Sequence, residues 1–205
     1  RRTKFAIAGR LMFHYADGLF LTAAHLAVDV PRRQRQAFIS HAHADHIAPH
    51  EVTYCTPATG RLFRHRRGRR TTIDMPYGQP RQVGPLCLTA LPAGHILGSA
   101  MLHASDGTQT LLYTGDFRLR PHLTAQSPLE LPEADILVME CTFGRPKYRF
   151  PSRDQVREEL LALVAGIVEQ GMTPVVRAYV LGKAQEVTRL LCDAGWSVRQ
   201  HPLVH

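Results

Sequence analysis

The chain contains no CxxC pair. Its four cysteines, Cys55, Cys87, Cys141 and Cys192, are scattered along 205 residues and form no disulfide frame. They read as reduced thiols of a cytoplasmic protein. No apolar run approaches the roughly 18 residues that cross a bilayer, so no membrane partner is expected. The opening Arg1-Arg2-Thr3-Lys4 leads into an apolar stretch broken at Gly9-Arg10 and His14, a poor secretion signal. Internal repeats and low-complexity segments are also lacking. Hydrophobic residues make up 44% and charged residues 20%, a balance that excludes disorder. The length suits one domain with a real core, or one domain and part of another.

What is abundant is positive charge and histidine. Net charge is +8 with the twelve histidines neutral, which suits a polyanion, most commonly nucleic acid. The densest basic cluster runs from Arg61 to Arg70 and includes Arg64, Arg66 and Arg67. Only Phe63 interleaves with these arginines, so phosphate attraction is the most the cluster supports. A solvated helix end is the alternative.

Three of the histidines fall within His41-Ala-His43-Ala-Asp45-His46, just after the apolar run Ala37-Phe38-Ile39. Residues two apart on an extended segment point the same way, so His41 and His43 can face one point. Asp45 and His46 then face a neighbouring point. Imidazole nitrogen and carboxylate oxygen are what zinc and similar ions take in catalytic sites. A His-rich solvated loop is the bland reading, and the density of ligand types argues against it.

Three further segments place a ligand-type residue just past a predicted strand: His95 in Pro92-Ala-Gly-His-Ile-Leu-Gly-Ser99, Asp116 in Leu112-Tyr-Thr-Gly-Asp116, and Glu140 in Val138-Met-Glu-Cys-Thr-Phe-Gly144. Strand ends and their loops are where ligands gather in layered α/β folds. Short strands joined by turns are predicted over 5–30, with Asp17-Gly18 as a hairpin turn. Further strands are predicted near 37–40, 53–55, 86–91, 100–104, 110–114, 135–139 and 174–176. Thr56 caps a helix beginning at Pro57. A second helix over 153–170 carries an apolar stripe (Val156, Leu160, Leu161, Leu163, Val164, Ile167) and stops at Gly171. A third covers 183–193. The pattern is that of an α/β layered protein.

The order HAHADH, AGHILGSA, YTGDF and ECTFG resembles the metallo-β-lactamase superfamily. The last of these, together with Tyr179-Val-Leu-Gly-Lys183-Ala-Gln-Glu186, is similar to the motifs of the β-CASP nucleases. Within that group Thr142-Phe-Gly-Arg-Pro-Lys-Tyr-Arg-Phe-Pro151 resembles bacterial exonuclease-like proteins found beside DNA ligases, or described as homologues of mRNA 3′-end-processing factors. The resemblance implies an αββα sandwich over 1–150 and the beginning of a β-CASP domain over 151–205. It implies two zinc ions: His41, His43 and His95 on the first, Asp45 and His46 on the second, Asp116 bridging. A hydroxide held between two such ions attacks phosphorus at neutral pH. Asp45 also orients it, and Glu140 partners a later proton donor. Lys183, opening a helix after Gly182, suits a phosphate.

The function implied is phosphodiester hydrolysis on RNA or DNA, as an exonuclease, with a homodimer and repair or RNA-processing proteins as possible partners. A hydrolase of the same superfamily acting on a thioester, lactone or small phosphodiester is the alternative, as is a nucleic-acid-binding relative with a weakened site. Cys141 stands where the family has Ser. The family's later histidines, which complete the second metal and supply the acid, are expected beyond His205, so the chain reads as C-terminally truncated. His201 and His205 are not in a matching context.

Overall fold

The computed structural model describes residues 12–128 and 130–204. The expected strand segment over 5–11, and His205, lie outside the described residues. Two mixed sheets carry the structure. The first holds β1 (Phe13–Tyr15), β2 (Leu19–Leu21), β3 (Leu26–Val28), β4 (Gln36–Phe38), β5 (Val52–Cys55) and β6 (Thr71–Asp74) in that order. Its first pairings are antiparallel, and those from β3 to β6 are parallel. The second runs β11 (Ile136–Val138), β10 (Thr110–Tyr113), β9 (Ala100–Ser105), β8 (Leu86–Pro92), β7 (Pro80–Val83). It is antiparallel except where β10 meets β11.

The core lies between the sheets. Leu21, Leu26, Val28 and Phe38 from the first interdigitate with Leu86, Leu88, Leu102 and Leu111 from the second. Alternate residues of β8 are buried (Leu86, Leu88, Ala90), the period-two pattern of a strand with one face on the core. Helix α1 (Pro57–Arg67) covers the outer face of the first sheet, where Phe63 packs with Ile39, Ile47 and Cys55. Its start is as the residues predict: Thr56 Oγ1 accepts from Thr59 N–H, and Pro57 occupies the first turn, where no N–H is required. The outer face of the second sheet is covered by the segment around Phe117 and Ala134, which packs on Ala93, Met101 and Leu112.

Helices α2 (Arg153–Glu169) and α3 (Lys183–Asp193) follow. The second helix forms as predicted, and its apolar stripe is covered in part: Val164 is buried, Leu160, Leu161 and Ile167 are half-buried, and Val156 and Leu163 are exposed. One expectation fails here. Pro174–Val176 is not a strand: among the described residues no strand pairs with it, and Val175 is exposed. Strands β6 and β7, both rich in polar residues, were not predicted.

Candidate metal centre

Each functional side chain leaves the C-terminal end of a strand at the same edge of the sandwich. His41 follows β4, His95 follows β8, Asp116 follows β10 and Glu140 follows β11. Backbone bonds lock these exits together: Ala100 N–H to Ser40 O (2.8 Å), Arg118 N–H to Ala93 O (2.7 Å) and Thr114 N–H to Val138 O (3.0 Å). Gly115 lets the Asp116 loop pass directly over Ser40, since a Cβ there would lie 2.8 Å from the Ser40 side chain at a φ of +54°.

The side chains converge. His41 Nε2 lies 2.9 Å from His43 Nδ1, and His95 Nε2 lies 3.2 Å from the same atom. Asp116 Oδ2 faces His95 Nε2 at 3.5 Å and His41 Nε2 at 3.8 Å. Four ligands about 2.0–2.1 Å from a zinc ion stand roughly 3.3 Å apart, so these separations bracket that spacing. The other oxygen, Oδ1, faces His46 Nε2 at 3.7 Å, and Asp45 Oδ2 lies 3.6 Å from that nitrogen. Asp116 therefore has one oxygen toward each half of the cluster. Asp45 projects outward, its side chain 80% exposed.

The outer ring nitrogens are held by acceptors. His43 Nε2–H donates to the Leu181 carbonyl (3.1 Å), which leaves the Nδ1 lone pair facing inward. His46 Nδ1–H donates to Asp29 Oδ2 (3.0 Å), which leaves Nε2 facing Asp45 and Asp116. Lone pairs turned toward one another and toward carboxylates repel unless a cation lies among them, so the donor set fits a divalent ion. The electrostatics agree. Burial, reinforced by the charges of His46, His43 and His95, drives the His41 pKa far below its ordinary value. Burial and His43 take His95 down to about 4. Burial opposes charge on His46, but Asp29, Asp116 and Asp45 outweigh it and raise its pKa. Asp116 is raised by burial and by the nearby charges of Glu140 and Asp45, against the opposing pull of His46.

Glu140 lies near enough to His95 and Asp116 for its charge to act on both, and its Oε2 accepts from Thr142 N–H (3.0 Å). The basic residues are arranged differently from a free phosphate-binding face. Arg64 donates to Thr72 Oγ1, Arg66 to Ala42 O and Arg67 to Ile47 O. The last two carbonyls flank His43–His46, so α1 braces the ligand loop at both ends. Lys183 Nζ is paired with Glu186 Oε2 (2.7 Å). Glu186 also meets Arg118 (3.2 Å), Arg153 (2.9 Å) and His122 (3.6 Å), and Lys183, His122 and Arg118 take its carboxyl down to about 2 despite burial. Three cations, Arg118, Arg153 and Lys183, thus face the one carboxylate of Glu186, and burial and Arg153 lower Arg118 in turn.

Sequence reasoning missed Asp29. It sits at the end of β3 with φ +49°, and its carboxylate accepts from Ser40 N–H (2.7 Å), His46 Nδ1–H and Tyr113 O–H (2.9 Å). An acid placed inside the apolar run Leu26–Val30 was the available signal. The Leu181 carbonyl was invisible because it lies 138 positions from His43. His201 is exposed, and its Nδ1 accepts from Leu203 N–H (3.2 Å).

A two-sheet α/β sandwich with His and Asp side chains gathered at its strand ends is the arrangement that the motif resemblance implies. Comparison with known proteins narrows the class. The chain is 38% identical over 194 residues to a probable DNA ligase of Opitutus terrae, covering 93% of this chain and 19% of that protein. It is 33% identical over 196 residues to the 5′ exonuclease Apollo of Gallus gallus, covering 89% and 42%. It is 36% identical over 124 residues to the transcription termination factor FttA of Methanothermobacter thermautotrophicus, covering 58% and 20%. No family model matches the chain. The chain is therefore similar to DNA-ligase, exonuclease and termination-factor proteins. It spans about a fifth of the ligase and termination-factor relatives and less than half of the exonuclease.

Proposed function

We propose that the protein is a metal-dependent nuclease that hydrolyses phosphodiester bonds of RNA or DNA, as an exonuclease. The observation that carries this reading is the inward convergence of His41 Nε2, His43 Nδ1, His95 Nε2 and Asp116 Oδ2, with Asp116 Oδ1 turned to His46. In this reading His41, His43 and His95 would hold one zinc ion, Asp45 and His46 would contribute to a second, and Asp116 would offer an oxygen to each. Ions so held supply Lewis acidity and make water a nucleophile at neutral pH, which phosphodiester hydrolysis requires. Asp45, exposed at the mouth, orients the attacking water. Glu140, beside His95 and Asp116, positions a proton donor for the leaving oxygen.

Net charge of +8 favours a nucleic acid over a small neutral substrate. The Arg61–Arg70 cluster, including Arg64, Arg66 and Arg67, adds positive potential around the ligand loop it braces. Lys183, at the N-terminus of α3 in a net-positive cluster, is suited to a phosphate of the strand. The division into a lactamase-like unit over 1–150 and a β-CASP segment from 151 is part of this reading. So is a cytoplasmic setting, consistent with four unpaired cysteines and, among the described residues, no helix long and apolar enough to cross a membrane. Self-association and contact with repair or RNA-processing proteins are further proposals.

The test is cleavage of end-labelled RNA and DNA by the complete protein, with and without chelator, beside Asp116→Ala. Chelator-sensitive shortening of one strand type from one end, absent in the variant, supports the reading. Turnover of a thioester or lactone with no strand cleavage would replace it with a non-nuclease hydrolase.

A further inference from the structure

Directly beyond Glu140 lies a surface that the metal chemistry does not use. Phe143, Tyr148 and Phe150 are 61%, 40% and 68% exposed, although three aromatic rings so close together would ordinarily be buried. They are ordered against one another. Phe143 stands edge-on to Tyr148 (centroids 5.4 Å) and to Phe150 (5.2 Å), while Tyr148 and Phe150 lie within 7° of parallel. The last two rings thus offer faces of one common orientation. Arg145, Lys147 and Arg149 alternate with them, and no acid occurs between Cys141 and Arg153. Lys147 Nζ lies over the Tyr148 ring, 5.0 Å from its centroid, which joins a cation to one of that ring's π-faces. Tyr148 and Arg145 also line an open cleft of about 480 Å³ that begins at Cys141, next to Glu140.

Exposed rings interleaved with cations are what an unpaired nucleic-acid strand requires: a π-face for each base and positive charge along the backbone. A duplex, whose bases are already stacked on one another, has no use for the rings. A neutral protein partner has no use for the three cations. From this geometry we infer that residues 143–150 form a stacking platform for bases of a single strand whose backbone passes to the metal centre at Glu140. The inference deepens the nuclease reading by naming single-stranded nucleic acid as the substrate class, and it rests on that reading for the direction of the strand.

The test measures fluorescence anisotropy of the complete protein, metal removed by chelator, with a labelled single-stranded oligonucleotide and with an abasic strand of equal length and charge. The base-bearing strand is expected to bind about tenfold or more tightly. Tyr148→Ala is expected to bring its affinity down to that of the abasic strand, and Tyr148→Phe, which keeps the ring, to restore it. Equal affinity of unaltered protein for the two strands overturns the inference, even if no variant folds. Equal loss on both strands in Tyr148→Ala also overturns it, as does concentration-dependent self-association that disappears in that variant while the two strands bind alike. Cleavage is scored separately with metal present. Base-dependent binding without cleavage would sink the nuclease reading and leave the platform standing, and cleavage without base dependence would do the reverse.

Discussion

Gly182→Ala perturbs the metal centre without touching any of its side chains. Gly182 opens α3 at φ +95° and ψ −69°, and a Cβ there would collide with Ile96 Cγ2, one residue from His95. A non-glycine residue held in so sparse a backbone region costs roughly 1–3 kcal/mol. Forcing a methyl group into occupied space costs about 1–3 kcal/mol more. The lower ends together make about 2 kcal/mol, roughly a thirtyfold increase in the fraction of molecules in which the 179–193 segment has lifted off. Lifting removes the Leu181 carbonyl from His43 Nε2. Loss of such an outer partner lowers metal affinity by about 10–100-fold. The assay is competition for zinc against a chromogenic chelator, run on the complete protein beside a thermal melt. Ile96→Ala in the same chain should recover part of the loss, because it relieves the collision but not the backbone strain. Gly107→Ala, in an exposed turn with open space around it, should leave zinc affinity unchanged. Unaltered zinc affinity in Gly182→Ala would refute the claim that this loop supports His43.

Other outcomes follow from the same structure. His43→Ala should lose the more tightly held metal, and Asp116→Ala both metal and hydrolysis, with the fold retained by circular dichroism; full metal content in either would remove that residue from the centre. Asp29→Ala leaves His46 Nδ1, Ser40 N–H and Tyr113 O–H without their shared acceptor, so it should destabilise the chain by about 2–4 kcal/mol in urea melts and loosen the metal nearest His46. Glu186 ionises more readily in the folded chain than in the unfolded one, because Lys183, His122 and Arg118 hold its carboxyl at about 2 against an ordinary 4.5. The unfolded state therefore takes up the proton first on acidification, and the stability Glu186 contributes is full above about pH 4.5 and lost toward about pH 2. Urea melts of wild type and Glu186→Gln should converge as pH falls through that window, and parallel curves would refute the linkage. Charge reversal across Arg64–Arg70 should weaken strand binding and flatten its salt dependence, and Arg66→Ala alone should lower metal affinity by freeing the Ala42 end of the ligand loop.

Local pattern made several parts of this protein legible. The Asp17-Gly18 turn between β1 and β2, the Thr56 cap with Pro57, and α3 over 183–193 all depend on residues within a few positions of one another, and all occur as predicted. The ligand-type residues were legible for a similar reason. A strand end followed by a small-residue turn is a local signal, and it marked His41, His95, Asp116 and Glu140 separately. Polar β6 and β7 escaped because their strand character comes from pairing with β5 and β8, not from their composition. The stripe on α2 correctly marked a helix, but periodicity says nothing of how fully another element covers that face. The alternation of rings and cations over 143–150 was present in the sequence, but only exposure distinguishes a platform from a core.

The amino-acid sequence alone determined the chemistry available to this protein: which imidazoles and carboxylates it carries, in what order, and on which strand ends. Tertiary structure decided their orientation. The Leu181 carbonyl and Asp29 set which nitrogens of His43 and His46 face inward. Arg66 and Arg67 brace the loop from a helix, and Glu186 ties residues 118 and 122 to α2 and α3. These contacts join residues far apart in the chain, and a hydrogen bond depends on where atoms meet rather than on spacing along the backbone. No local pattern encodes them.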